Sequence, residues 1–148
     1  MKNNGPRSAE HYSRVHRDIA EKIQKYGWTL ISVFDPDKGT HFVYTVGLEQ
    51  RFEHPELIVL DLPVDVACEM LNGLAELISD GRYFRAGERP RDLPVHPAIR
   101  FYRVNQRHYR DFLNVGRWFY GGENFRALQI APADTVGALD DGHLILNR

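Results

Sequence analysis

The stretch HFVYTVGLEQRFEHPELIVLDLP, from His41 to Pro63, decides how the rest of the chain is read. Two apolar runs, Phe42 to Leu48 and Leu57 to Leu60, flank a polar loop with Glu49, Gln50, Arg51, Glu53, His54 and Pro55. The second run is apolar at four successive positions, which suits a strand buried on both faces. Gly47 closes the first run, and Pro55 removes a backbone donor just before the second. The pattern predicts two strands of one sheet, joined by the loop that carries function.

On the N-terminal side, Trp28 to Phe34 is rich in β-branched and aromatic residues and runs into the turn Asp35-Pro36-Asp37-Lys38-Gly39. Proline presets the turn and glycine supplies the positive φ, so this stretch and His41 to Val46 form a β-hairpin. In the return strand Phe42, Tyr44 and Val46 share a core-facing side. His41, Val43 and Thr45 share a mixed side, where Thr45 and His41 either line a site or face solvent. Ahead of the hairpin, Tyr12, Val15, Ile19, Ile23 and Tyr26 recur at helical spacing. They predict a helix from Ser8, as cap, to Tyr26, stopped by Gly27.

On the C-terminal side, Ala67, Met70, Leu71, Leu74, Leu77 and Ile78 form the apolar stripe of a helix over Asp65 to Asp80, ended by Gly81. Cys68 lies beside that stripe and reads as a small buried hydrophobe. Gly87, Pro90, Pro94 and Pro97 then break regular structure, leaving a short strand at Tyr83 to Arg85 within a long surface excursion. Ala98 to Val104 alternates as a strand does. Asn105 caps a third helix that runs to Tyr120. Gly116 inside it costs about 1 kcal/mol relative to alanine, which makes sense where something packs close. Phe125 to Ile130 is the last strand, and the tail ends in the apolar run Leu144 to Leu146.

At 148 residues the chain is read as one domain, 1–148, with residues 1–7 disordered. A domain of this size buries roughly 70% of its unfolded surface, enough for a core without staples. Cys68 is the single cysteine, which excludes an internal disulfide and a cysteine-cluster metal site. The start, MKNNGPRS, has no apolar export core, and no run approaches the ~18 residues of a membrane span. A soluble, cytoplasmic protein without membrane contact is the expectation.

A net charge of −1 hides an uneven distribution. Residues 61–81 carry five acids and no base, whereas residues 82–126 carry ten arginines, no lysine and four acids. The second stretch also holds ten of the seventeen aromatic residues. Guanidinium forks onto phosphate and stacks on rings, so this composition suits a planar anionic ligand. Its bland counterpart is an aromatic core segment with solvated arginines between.

Seven histidines raise a metal reading that their spacing does not support. His11 and His16 lie off a common helical face, and the His54–Glu56 pair straddles a proline that reads as strand entry. No metal is expected. There is no G-x-S-x-G for nucleophilic catalysis, no phosphate-cradling P-loop and no dinucleotide fingerprint. What converges is Thr45 and Gly47 at a strand end, His54 and Glu56 in the next loop, and downstream Arg100, Arg103 and Arg107, with Arg110 behind them.

The blocks Tyr44-Thr45-Val46-Gly47-Leu48, His54-Pro55-Glu56-Leu57-Ile58, Gly81 with Phe84, and Leu128-Gln129 with Asp134 and Gly137 resemble a bacterial domain-of-unknown-function family, DUF4262. The resemblance covers about Trp28 to Gly137. Members carry an aromatic before the proline-aspartate of the last block, where this chain has Ala131-Pro132-Ala133-Asp134. The family brings no established activity, so the resemblance implies a fold unit and leaves function open. A fainter likeness is to the split β-barrels that hold flavin mononucleotide. It implies a phosphate anchor at Thr45, Gly47 and an arginine from 100–110, and a homodimer that closes the cleft.

These readings predict an α+β fold: a mainly antiparallel, curved sheet of about five or six strands with three packed helices. The leading functional expectation is a binding domain for an anionic small molecule or a protein partner, without a resident catalytic centre. The alternative is a small flavin- or nucleotide-dependent enzyme of split-barrel type. The slightly acidic total charge argues against nucleic acid as the partner.

Overall fold

The computed structural model describes residues 5–37, 39–93 and 98–133, with side chains from Ser13 onward. Its centre is an open, curved sheet of five strands. They are β1 (Thr29–Asp35), β2 (Thr40–Val46), β3 (Glu56–Leu60), β4 (Ile99–Arg103) and β5 (Ala127–Pro132), in the spatial order β1-β2-β3-β5-β4. Neighbours are antiparallel except for β3 and β5, which run parallel with Glu56 opposite Ala127. The sheet is therefore mixed, and the hairpin expected from the Pro36–Gly39 turn is its β1–β2 pair.

All five residues of β3 are buried, as four successive apolar positions imply. One face of the sheet, carrying Val43, Leu57, Val59, Leu128 and Ile130, packs under helix α3 (Val64–Ser79) and Phe84. The opposite face, carrying Phe42, Tyr44, Val46 and Ile58, packs under Ile23 of helix α1 (Gly5–Tyr26) and under Tyr109, Leu113 and Phe125. The side of β2 that reads as mixed is thus core too: Val43 and Thr45 are both fully buried beneath α3.

Three local features differ from the sequence reading. The third helix is broken into a 3-10 turn (Gln106–His108), α4 (Tyr109–Phe112) and α5 (Asn114–Tyr120). Asn105 caps the 3-10 turn through its side chain, and Leu113, at φ −120°, ψ 43°, separates α4 from α5. Tyr109 and Leu113, four residues apart and both buried, would share one face of an unbroken helix as well. What the break frees is the Val115 N–H at the start of α5, which donates to the Tyr44 hydroxyl at 3.0 Å. The loop after β2 contains a helix that periodicity could not show, α2 (Leu48–Phe52), because five residues are too few for a repeat. Tyr83 to Arg85 is not a strand. Two residues further on, the Gly87 N–H donates to the Phe101 carbonyl and the Phe101 N–H donates to that of Glu88, covering the outer edge of β4.

Residues 1–4, part of the excursion at 94–97, the Asp134 and Gly137 block and the Leu144–Leu146 run lie outside the described residues. Among the described residues no helix is long and apolar enough to cross a membrane.

Leu74 sits at the middle of the α3 stripe with 4% of its surface exposed. Leu74→Ala should therefore cost about 2–5 kcal/mol in a denaturant melt. A change within ordinary surface scatter would show that the stripe does not carry the core.

Candidate functional site

The four residues 47–50 open α2, and a helix's first turn leaves its N–H groups without intrahelical partners. Here every one is met by a side chain from outside the helix. The Glu56 carboxylate accepts from the N–H groups of Gly47 at 2.9 Å, Leu48 at 3.2 Å and Glu49 at 3.2 Å. The Tyr120 hydroxyl accepts from Gln50 N–H at 3.2 Å and donates its own proton to Glu56. Thr45 Oγ1 donates to Glu56 at 2.8 Å while accepting from the Leu57 N–H at 2.9 Å. Five donors thus converge on one carboxylate, 1% exposed.

That arrangement is what a helix start offers to an anion, and the chain supplies its own. The Thr45 hydroxyl and Gly47 N–H, which an external phosphate would use, are both engaged with Glu56. Burial pushes the Glu56 carboxyl up to about 7, while the bonds from Tyr120, Thr45 and the Glu49 and Gly47 N–H groups pull it back down. Burial and the adjacent Glu56 push the Tyr120 phenol above its ordinary range, so it stays a donor. Gly47 itself, at φ +121°, packs against the end of α1: a Cβ there would stand 2.5 Å from the carbonyl oxygen of Gly27, just past the helix, and 3.0 Å from Ile23.

A second set of contacts fixes the outer side of α2. The Arg126 guanidinium donates to both Glu49 carboxylate oxygens, at 2.9 and 2.6 Å, to the Glu53 carbonyl and to the Tyr83 hydroxyl. Burial raises the Glu49 carboxyl, but the Arg126 side chain and N–H outweigh it and hold the group below the usual carboxylate range.

His54 ties the same loop to the segment after α3. Its Nε2 accepts from the Phe84 N–H at 3.0 Å, so the ring proton is on Nδ1, which donates to the Pro55 carbonyl at 2.8 Å. Burial lowers its basicity and the Pro55 carbonyl partly restores it. The neutral ring is the one that fits, since protonated Nε2 has no lone pair for Phe84.

Thr45, Gly47, His54 and Glu56 are therefore neighbours, but as a packed polar hub and not as an open pocket. The arginines are elsewhere and apart. Arg100 lies mid-β4, with a buried Nε that has no hydrogen-bond partner among the described residues. Arg107 lies exposed against His108, and Arg110 is exposed on α4. Arg103 lines a cleft of about 230 Å³ with Asn105, Gln106 and Arg126, walled by Tyr109 and Phe125. A split-barrel site needs Thr45 beside a cleft, whereas Thr45 is fully buried and the sheet is open at β1. Among the described residues no three His, Cys, Asp or Glu side chains gather as metal ligands would.

Sequence reasoning missed Tyr120 and Arg126. They meet the loop from 64 and 77 residues away, and nothing local marks either. A pairing signal exists for Arg126 alone, as the residue before a strand that runs parallel to β3.

The fold and hub define an α+β domain organised by a buried carboxylate that holds a short helix against the sheet. The chain belongs to the domain of unknown function family DUF4262, whose model matches residues 22–139. No curated protein and no solved structure matches it.

Two substitutions test the hub. Gly47→Ala combines a positive φ with a backbone clash and should cost about 2–5 kcal/mol in a denaturant melt; a neutral result would show that the α1–α2 approach relaxes freely. Glu56→Gln puts an amide NH₂ against N–H donors and should cost about 2–4 kcal/mol. The native value near 7 lies above the ordinary 4.5, so the folded protein holds this proton more tightly than the unfolded chain. Stability due to Glu56 is then fullest below about pH 4.5 and declines as pH rises through about 7. Thermal melts of both proteins across that range check the sign: the gap between wild type and Glu56→Gln should narrow as pH rises, and a widening gap contradicts it.

Proposed function

We propose that this domain is a binding module for a small anionic molecule, with the site in the cleft at the C-terminal end of β4. The observation that carries this reading is the Arg103 guanidinium. It is exposed, forms no ion pair with any described residue, and lines a cleft of about 230 Å³. Arg126, on the same cleft, is engaged with Glu49, Tyr83 and Glu53, so Arg103 supplies the available charge. Asn105 uses its Oδ1 as a cap acceptor, which leaves its amide NH₂ as a neutral donor beside that charge. Gln106 donates its amide to the Glu123 carbonyl, which leaves Oε1 as an acceptor for a ligand hydroxyl or amine. Tyr109 and Phe125 form the apolar wall. A fork of this kind recognises carboxylate or phosphate, and the volume suits a compact ligand below drug size.

The reading assigns no reaction. Among the described residues Glu56 is the buried carboxylate, and its oxygens are turned to five donors within the fold. Thermal melts in phosphate, citrate and acetate against chloride at matched ionic strength test it. A ligand at 100 times its Kd stabilises by about 2.7 kcal/mol, a rise of several degrees in Tm. The rise should vanish in Arg103→Ala and persist in Arg110→Ala, a surface arginine outside the cleft. Equal shifts in both variants would reduce the effect to general charge screening and overturn the site.

A further inference from the structure

The two edges of the sheet are treated differently. The outer edge of β4 is covered by residues 87 and 88, which exchange two backbone hydrogen bonds with Phe101. The outer edge of β1 pairs with nothing among the described residues, although all seven of its residues are laddered to β2 on the inner side. Natural sheets blunt a free edge with lysine, proline or a bulge. The β1 sequence, Thr-Leu-Ile-Ser-Val-Phe-Asp, has no lysine and no proline, and its register with β2 runs without interruption. It also carries Phe34 with 64% of its surface exposed.

Its polarity reads the same in both directions about Ser32. An antiparallel pairing of two β1 strands centred there sets Leu30 against Phe34 on the α3 side and Ile31 against Val33 on the α1 side. Thr29 falls opposite Asp35, the one charge on the strand. The two Asp35 carboxylates are then at opposite ends, so no like charges meet across the pair. The Leu30 position is also where the surface is hollow. A cleft of about 420 Å³ opens there between β1 and α3, lined by Tyr26, Trp28, Leu30, Asn72 and Glu76. In this register the exposed Phe34 of each copy lies at the cleft of the other.

We propose that the chain forms a homodimer by antiparallel β1–β1 pairing about a two-fold axis at Ser32, with each Phe34 seated in its partner's Leu30 cleft. The sheet then continues through both copies as ten strands, and the isologous contact closes on itself. The anion cleft at Arg103 lies at the far end of the strand order and takes no part.

Sedimentation equilibrium and Ser32→Cys cross-linking test this, the latter in a Cys68→Ala background. The wild type should have twice the 17.1 kDa chain mass. Phe34→Glu should halve that mass at the same concentration, with an unchanged far-UV spectrum, since the side chain it replaces is exposed. Ser32→Cys should oxidise to a disulfide-linked dimer, whereas Phe34→Cys, opposite Leu30, should not. A dimer that survives Phe34→Glu, or that cross-links through Phe34→Cys in preference, overturns the pairing. So does a monomer: if the Ser32→Cys thiol resists labelling, another part of the same chain covers the edge, and if it labels freely the edge belongs to a different partner.

Discussion

A carboxylate without water must be surrounded by donors, and the structure around Glu56 follows from that requirement. Meeting it fixes the start of α2, the close of β2 through Thr45, and the end of α5 through Tyr120. Two consecutive elements and a third more than sixty residues away are therefore positioned by one side chain. The same geometry explains Gly47, because the helix start can reach Glu56 only if the backbone passes within contact of Gly27. A hydrophobic residue at position 56 would fill the volume and leave the N–H groups of Gly47, Leu48 and Glu49 and the hydroxyls of Thr45 and Tyr120 without their acceptor.

The hub also acts through its surroundings. His54, held neutral by its two hydrogen bonds, ties the Phe84 backbone to the same loop, and Arg126 ties Tyr83 to it from the other side. The segment after α3 has no regular structure of its own, yet these ties and the stacking of Phe84 on Phe101 at 4.7 Å make it part of the core. Irregular backbone stays ordered where side chains supply what a ladder would.

Much of this fold was legible. Period-two and period-3.6 patterns located α1, α3 and the hairpin, and four apolar positions in succession gave β3 as a strand buried on both faces. What stayed hidden was set by partners far along the chain. Periodicity treats 105–120 as one helix, while the backbone breaks at Leu113 and the freed Val115 N–H finds its acceptor in Tyr44, more than seventy residues earlier. The grouping of Thr45, Gly47, His54 and Glu56 was readable because 45 and 56 flank one loop. Its meaning was not, because Tyr120 and Arg126 carry no local signature. The arginine stretch gave a composition and no geometry: Arg100, Arg103 and Arg107 point to three different surroundings.

The parallel pairing of β3 with β5 has a consequence in time. Glu56 is separated from Ala127 by about half of the chain, with α3, β4 and α5 emerging between them. During synthesis β1, β2, β3 and α3 can assemble while the other side of β3, the most apolar strand of the sheet, still lacks its neighbour. The Glu56 cradle stays short of its Tyr120 donor for the same interval. Long-range parallel closure is slow because loop entropy is lost before any contact compensates it, so the middle of this sheet is the last place to seal.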